Sequence, residues 1–237
     1  MAHNSSEKTA TALREEASDQ PLKQWELRAA TRALQRSREG MGRRNPADQM
    51  VAAGWDLVNE GVEFTVKQVA ERANVALQTF YRHFGSKDEL LLAMLEEFMN
   101  QGMANLMIAA SELTDPVEQL RFLVTHGILL PHDENAVKQM QWRARERHRL
   151  SQLFPEAVEA VDEPYRAAVV AAIEAAREAG RLTSPNPALD GNIIKHLVLT
   201  MTHLQWGGGA RESPDVTAEA VWRLCWEGLG ARAAEST

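Results

Sequence analysis

The chain has 237 residues, 44% of them hydrophobic, with a formal net charge of −7 and a single cysteine, Cys225. That length allows one or two domains with a sizeable core, and the apolar content excludes a disordered chain. One cysteine excludes an intramolecular disulfide and fits a reducing, cytoplasmic setting; no apolar run of about 18 residues predicts a membrane span, and no apolar core at the N-terminus predicts a signal peptide.

Residues 1–20 are polar and rich in Ser, Thr and Glu, as terminal tails are. Pro21 opens a predicted helix to about Arg38, broken by Gly40 and Gly42, with Arg43 and Arg44 following. The charge is uneven. Residues 21–45 hold seven basic and two acidic side chains, whereas residues 46–98 hold four and nine. A local basic strip can hold phosphates even when the global charge is negative. Arg43 and Arg44 therefore read as a basic arm for DNA; the alternative is a helix whose charges only face water. This gives an N-terminal extension over residues 1–45.

Asn45-Pro46-Ala47-Asp48 is a helix start: an N-cap, Pro in the first turn, and an acid beside it. Met50, Val51, Leu57 and Val58 form its apolar stripe, and Gly61 ends it. Thr65 and Gln68 make a capping pair for a second helix, on which Val66, Val69, Ala70 and Ala73 share a face. Asn74 tolerates a left-handed backbone and makes the turn. Leu77 to Phe84 gives a short third helix carrying Gln78, Thr79, Tyr81, Arg82 and His83. Ser86-x-x-Glu89 caps a fourth, long helix through about Met107, with Lys87 in its first turn. Two short helices around a tight turn, the second polar outside and aromatic inside, suit a helix-turn-helix entering a DNA major groove.

The segment from about Pro46 to Phe98 resembles the N-terminal DNA-binding domain of TetR-family transcriptional regulators. Thr65, Val69, Ala70, Ala73, Val75, Thr79, Tyr81, Phe84, Ser86 and Lys87 carry the resemblance, with Phe80 where Leu or Ile is usual. The Thr-Phe-Tyr-Arg-His-Phe and Ser-Lys-Asp-Glu-Leu runs occur together at the family's spacing. Asn74 stands where Gly is usual, and Ala76 where Ser is usual, so the third helix lacks a side-chain cap worth about 1 kcal/mol. The resemblance implies an all-α fold: a three-helix DNA-binding domain over residues 46–92, then a helical effector-binding and dimerisation domain over residues 93–237. Thr65, Lys67, Gln78, Thr79, Tyr81, His83 and Lys87 are expected to face double-stranded operator DNA. Thr65, Tyr81 and Lys87 hold phosphates; Gln78 and Thr79, with Leu77 against a thymine methyl, touch base edges. Arg82 does either or braces the domain, and Phe80 and Phe84 are core.

Beyond residue 100 the pattern is helical throughout, with predicted helices at 115–130, 134–150, 155–180, 187–206 and 214–233. Pro116, Pro131, Pro155, Gly180, Pro185, Pro187 and Gly207 to Gly209 punctuate them. Helices 187–206 and 214–233 are apolar on more than one side. Ile193, Leu197 and Leu204, with Val221, Trp222, Leu224, Cys225, Trp226 and Leu229, are the expected homodimer interface, as a four-helix bundle of two copies; the alternative is burial within one subunit. On the middle helices, Met103, Met107, Phe122, His126, Trp142, Arg143, Tyr165 and Met201 are the candidates to line an apolar effector cavity; the alternative is ordinary core.

No Cys-x-x-Cys, His-Glu-x-x-His, Gly-x-Ser-x-Gly or phosphate-loop pattern occurs, so no cofactor, metal or catalytic set is expected. His196 and His203 share a helix face, but seven residues place them about 10 Å apart, too far to chelate one ion. The expected function is a ligand-responsive repressor, released from its operator by a small apolar or amphipathic effector. An activator, a regulator without a small-molecule ligand, and a protein-interaction module remain rivals; a helical enzyme is disfavoured.

Overall fold

The computed structural model describes residues 45–129 and 134–231. Arg43, Arg44 and all of the expected extension except Asn45 lie outside them. Among the described residues there are nine helices and no strand.

Helix α1, Pro46–Asn59, begins where Asn45 accepts a hydrogen bond from the Asp48 amide at 3.0 Å. Its apolar face buries Met50, Val51, Leu57 and Val58. Gly54 on this helix meets α4 so closely that a Cβ would lie 2.6 Å from the Met94 sulfur. Helix α2, Val66–Arg72, has the full capping box: Gln68 donates its amide to the Thr65 hydroxyl and accepts from the Thr65 amide. Asn74 turns the chain at φ 53°, in the left-handed region that Asn tolerates. Helix α3, Leu77–His83, starts without any side-chain cap at Ala76. Helix α4, Lys87–Ser111, is capped by Ser86 and continues past Met107. Its first two turns bury Leu90 through Leu95 on every side, because α1, α3 and later helices surround them.

The second half comprises α5 (Pro116–Leu129), α6 (Glu134–Leu153), α7 (Pro155–Glu178), α8 (Pro187–Trp206) and α9 (Pro214–Gly228). The predicted starts at 134, 155, 187 and 214 coincide with the observed ones. The last helix ends at Gly228 rather than 233, where Leu229 caps it and the chain turns to meet Thr183 and Ser184. The boundary expected at residue 92 falls inside α4, with no linker. One core joins the DNA-binding helices to Trp142 and Leu150 of α6 and Val158 of α7; a second holds the rest of the helical half. Helix α6 is thus packed into both halves of the molecule.

Candidate functional site

The outer face of α3 is built by its period. Phe80 and Phe84, four residues apart, point inward and are fully buried, with ring centroids 5.5 Å apart. That register turns Leu77, Gln78, Tyr81 and Arg82 outward; Tyr81 is 53% exposed and rests its ring on the edge of Phe80. Thr79 and His83 are half-buried at the flanks. Thr65 and Lys67 lie exposed at the start of α2, Lys67 beside Glu71 at 3.7 Å. Lys87 is half-buried, its ammonium 4.9 Å from the centre of the Phe64 ring. These nine residues, all exposed or half-buried, lie on α2, α3, the turn before α2 and the first residue of α4.

A cavity of about 340 Å³ lies in the helical half. Phe98, Met99, Met103 and Leu106 of α4 form one wall; Leu123 and His126 come from α5, Met140 and Arg143 from α6, Tyr165 from α7, and Val198, Leu199 and Thr202 from α8. Four expected residues, Met103, His126, Arg143 and Tyr165, meet there. Four others do not line it. Met107 is 44% exposed: at about 100° per residue it falls off the arc that Met99, Met103 and Leu106 share. Trp142 points away from Met140 and Arg143 into the DNA-binding core, edge-on to Trp55 at 4.8 Å. Phe122 lies behind His126, ring centroids 4.7 Å apart, and Met201 packs into the second core. Met99 and Met140 carried the helical spacing that marks the wall; Val198, Leu199 and Thr202 carried no signal beyond an apolar helix.

The polar groups at this cavity are few. The Tyr165 hydroxyl donates to the Leu123 carbonyl at 2.9 Å, and burial pushes its pKa up. Burial holds the His126 imidazole below its ordinary value. The Arg143 guanidinium is 9% exposed; burial, and then the charge of Arg147, lower its pKa to about 10, so it remains a cation at neutral pH. A second cavity of about 240 Å³ shares Met140, Arg143, Leu199 and Thr202 with the first and adds Arg147, His148, Thr200 and His203. No cluster of metal-ligating side chains occurs among the described residues, and none of their helices is long and apolar enough to cross a membrane.

The expected dimer residues divide in two. Val221, Trp222, Cys225 and Leu229 are buried in the chain's own second core, and Leu197 and Trp226 are packed against it. Their inward stripe serves the contact of α9 with α5, which periodicity alone does not distinguish from an intermolecular seam. Ile193 (55% exposed), Leu204 and Leu224 (62% exposed) remain on the surface, joined by Leu189 and Val216, which the sequence reading missed.

Two short helices around a tight turn, the second held by a buried aromatic pair and followed by a cavity-bearing helical half, are the architecture of a helix-turn-helix unit joined to a helical domain. Residues 52–94 match the family described as "Bacterial regulatory proteins, tetR family". No curated protein matches the chain. Among solved structures, the fatty acid degradation regulator FadR from Bacillus halodurans superposes with a TM-score of 0.61 at 20% identity, over 80% of this chain and 100% of that one. FadR from Bacillus subtilis in complex with stearoyl-CoA gives 0.59 at 19% identity, over 76% of this chain and 97% of that one. The Thermus thermophilus FadR repressor in complex with lauroyl-CoA gives 0.60 at 19% identity, over 81% and 98%. Residues 52–94 thus match the DNA-binding unit of the TetR family by sequence, and the chain as a whole shares the fold of TetR-type regulators.

Proposed function

We propose that this protein is a homodimeric repressor that binds operator DNA through α3 and leaves it when a small apolar or amphipathic effector fills the cavity of the helical half. The observation that carries the reading is the position of α6. This helix contributes Met140 and Arg143 to the cavity wall. The same helix reaches the DNA-binding half at three points: Trp142 on Trp55, Lys138 Nζ donating to the Asn59 carbonyl at 2.9 Å, and Arg149 paired with Asp88 at 2.7 Å. An effector that shifts α6 therefore loads both α1 and the first turn of α4. The separation of the two recognition helices then changes, and operator affinity falls. FadR from Bacillus subtilis was solved with stearoyl-CoA, that from Thermus thermophilus with lauroyl-CoA, and AibR with isovaleryl coenzyme A and operator DNA, which favours an amphipathic effector here.

In this reading Gln78, Thr79 and Leu77 meet base edges, while Thr65, Lys67, Tyr81, His83 and Lys87, with Arg82, meet phosphates or brace the helix. The surface formed by Leu189, Ile193, Leu204, Val216 and Leu224 pairs with its copy, because one acidic recognition domain holds DNA weakly and two half-sites multiply the contact. Arg43 and Arg44 add phosphate binding; changing both to Ala lowers the slope of log affinity against log salt by about 0.9 for each phosphate no longer neutralised. The test is selection of bound sequences from random DNA, then measurement of effector affinity with and without the selected operator. Linkage requires equal and reciprocal weakening. Equal effector affinity in both states refutes the reading.

A further inference from the structure

The two cavities meet at one side chain. Arg143 lines both, is nine-tenths buried, and its Nε has no hydrogen-bond partner. One of its terminal nitrogens reaches the Met140 sulfur, a weak acceptor, at 3.8 Å. The nearby acid, Asp162, is bonded by Arg147 through Oδ2, and its Oδ1 has no hydrogen-bond partner, so one carboxylate is the counter-charge of two guanidinium groups and is hydrogen-bonded to only one. Arg143, Arg147 and Asp162 together leave one positive charge in excess; of the larger cavity's other polar side chains, Asn105, His126, Tyr165 and Thr202, none is an acid, and the Tyr165 hydroxyl donates to backbone. A buried cation that shares its counter-charge with a second cation is under-compensated and is stabilised when a further anion arrives. The planar guanidinium with a free Nε edge is shaped for a two-oxygen acceptor. One wall of the larger cavity is apolar, formed by Phe98, Met99, Met103 and Leu106.

We propose that the effector is an amphipathic carboxylate, its apolar tail in the larger cavity and its carboxylate on Arg143. The inference rests on the effector-responsive reading above and narrows it to one chemical class. It also separates two sources of the same tail. A free carboxylic acid supplies the missing negative charge at Arg143. A thioester of that acid, such as an acyl-coenzyme A, places a neutral carbonyl there and carries its charges elsewhere.

The experiment is calorimetric titration of the full-length protein with straight-chain and phenyl-substituted carboxylates of increasing length. The matched primary alcohols and coenzyme A thioesters are titrated alongside. The expected result is that the best carboxylate binds at least about tenfold more tightly than its alcohol, the scale of one charge-assisted hydrogen bond. In Arg143→Gln that preference falls to within about threefold, and Arg143→Lys restores part of it. Circular dichroism melts accompany each variant, and Arg143→Met is expected to melt no lower than wild type, since it removes an under-compensated charge. A carboxylate preference that survives in Arg143→Gln or Arg143→Met overturns the proposal. So does tighter binding of the alcohol or thioester than of the acid; if those ligands also release operator, the repressor reading stands and only the carboxylate class fails. Binding of no member of the panel overturns the carboxylate class and removes the support for an effector cavity together.

Discussion

Trp142 tests whether α6 is the element through which the two halves communicate. Its side chain is buried in the DNA-binding core and meets Trp55 edge-on at 4.8 Å. Truncation to Ala removes a large buried ring system, and such changes cost about 3–5 kcal/mol. Roughly 0.5–1.5 kcal/mol of the loss belongs to the aromatic pair rather than to burial. Against a total stability of about 5–15 kcal/mol, the Ala variant is severely weakened. Trp142→Phe keeps one ring and leaves a smaller void, so its cost is about 1–2 kcal/mol and the fold persists. Urea unfolding at fixed protomer concentration measures both, since a dimer's stability depends on concentration. The second readout is the factor by which the best effector weakens operator binding, measured by fluorescence anisotropy. Trp142→Phe is expected to reduce that factor by about two- to tenfold, the range of mutations along a coupling element. A Trp142→Ala loss below about 1 kcal/mol would show that the residue is not core. Full coupling in Trp142→Phe, with stability reduced, would show that α6 does not transmit through this pair of rings.

Three further outcomes follow from local geometry. Ala76 already has the extended backbone of an N-cap, φ −68° and ψ 146°, so Ala76→Ser is expected to raise stability by about 0.5–1 kcal/mol in urea unfolding. Asn74 holds φ 53°, so Asn74→Ala is expected to lose about 1 kcal/mol in the same assay, and an unchanged midpoint would mean that the turn is not left-handed. Burial lowers the His126 pKa, so the unfolded chain binds more protons than the folded one below the ordinary His value of 6.5. Stability is therefore complete above that value and falls as pH drops through it; His126→Leu is expected to flatten the decline between about pH 7.5 and 5.5, read from urea midpoints.

The DNA-binding half was legible because each of its signals is local. Thr65 with Gln68, Ser86 with Glu89 and Asn45 with Asp48 each meet within one helical turn, so spacing alone announces the hydrogen bond. Phe80 and Phe84 were assigned inward by the same short-range logic. The helix starts at Pro116, Pro155, Pro187 and Pro214 were legible for the same reason, since proline marks the first turn. The cavity was only half legible, because it is made where five helices converge. A Met stripe says that a face is apolar; it does not say whether its neighbour is another helix or empty space. Met99 and Met107 look alike in sequence, and only the rotation of α4 separates the wall from the surface. The last helices show the same ambiguity: the richest stripe of α9, through Val221, Trp222 and Cys225, packs into the chain's own second core, while the sparser Val216 and Leu224 stay exposed.

That rotation also gives α6 its double role. Trp142 and Arg143 are consecutive, and consecutive residues on a helix point about 100° apart. One turns into the DNA-binding core and the other into the cavity. Further along, Arg149 ties the same helix to Asp88 in the first turn of α4, directly after the recognition helix. A regular helix bends little, so a displacement at Arg143 cannot be absorbed before it reaches Trp142, and it reaches Arg149 less than about two turns later. The acid at Asp88 and the aromatic ring at Trp55 receive the push at opposite ends of one short rigid lever. In the proposed reading, the effector seat at Arg143 and the contact with the DNA-binding half at Trp142 therefore need no chain of intermediates between them: they are neighbouring side chains on one helix.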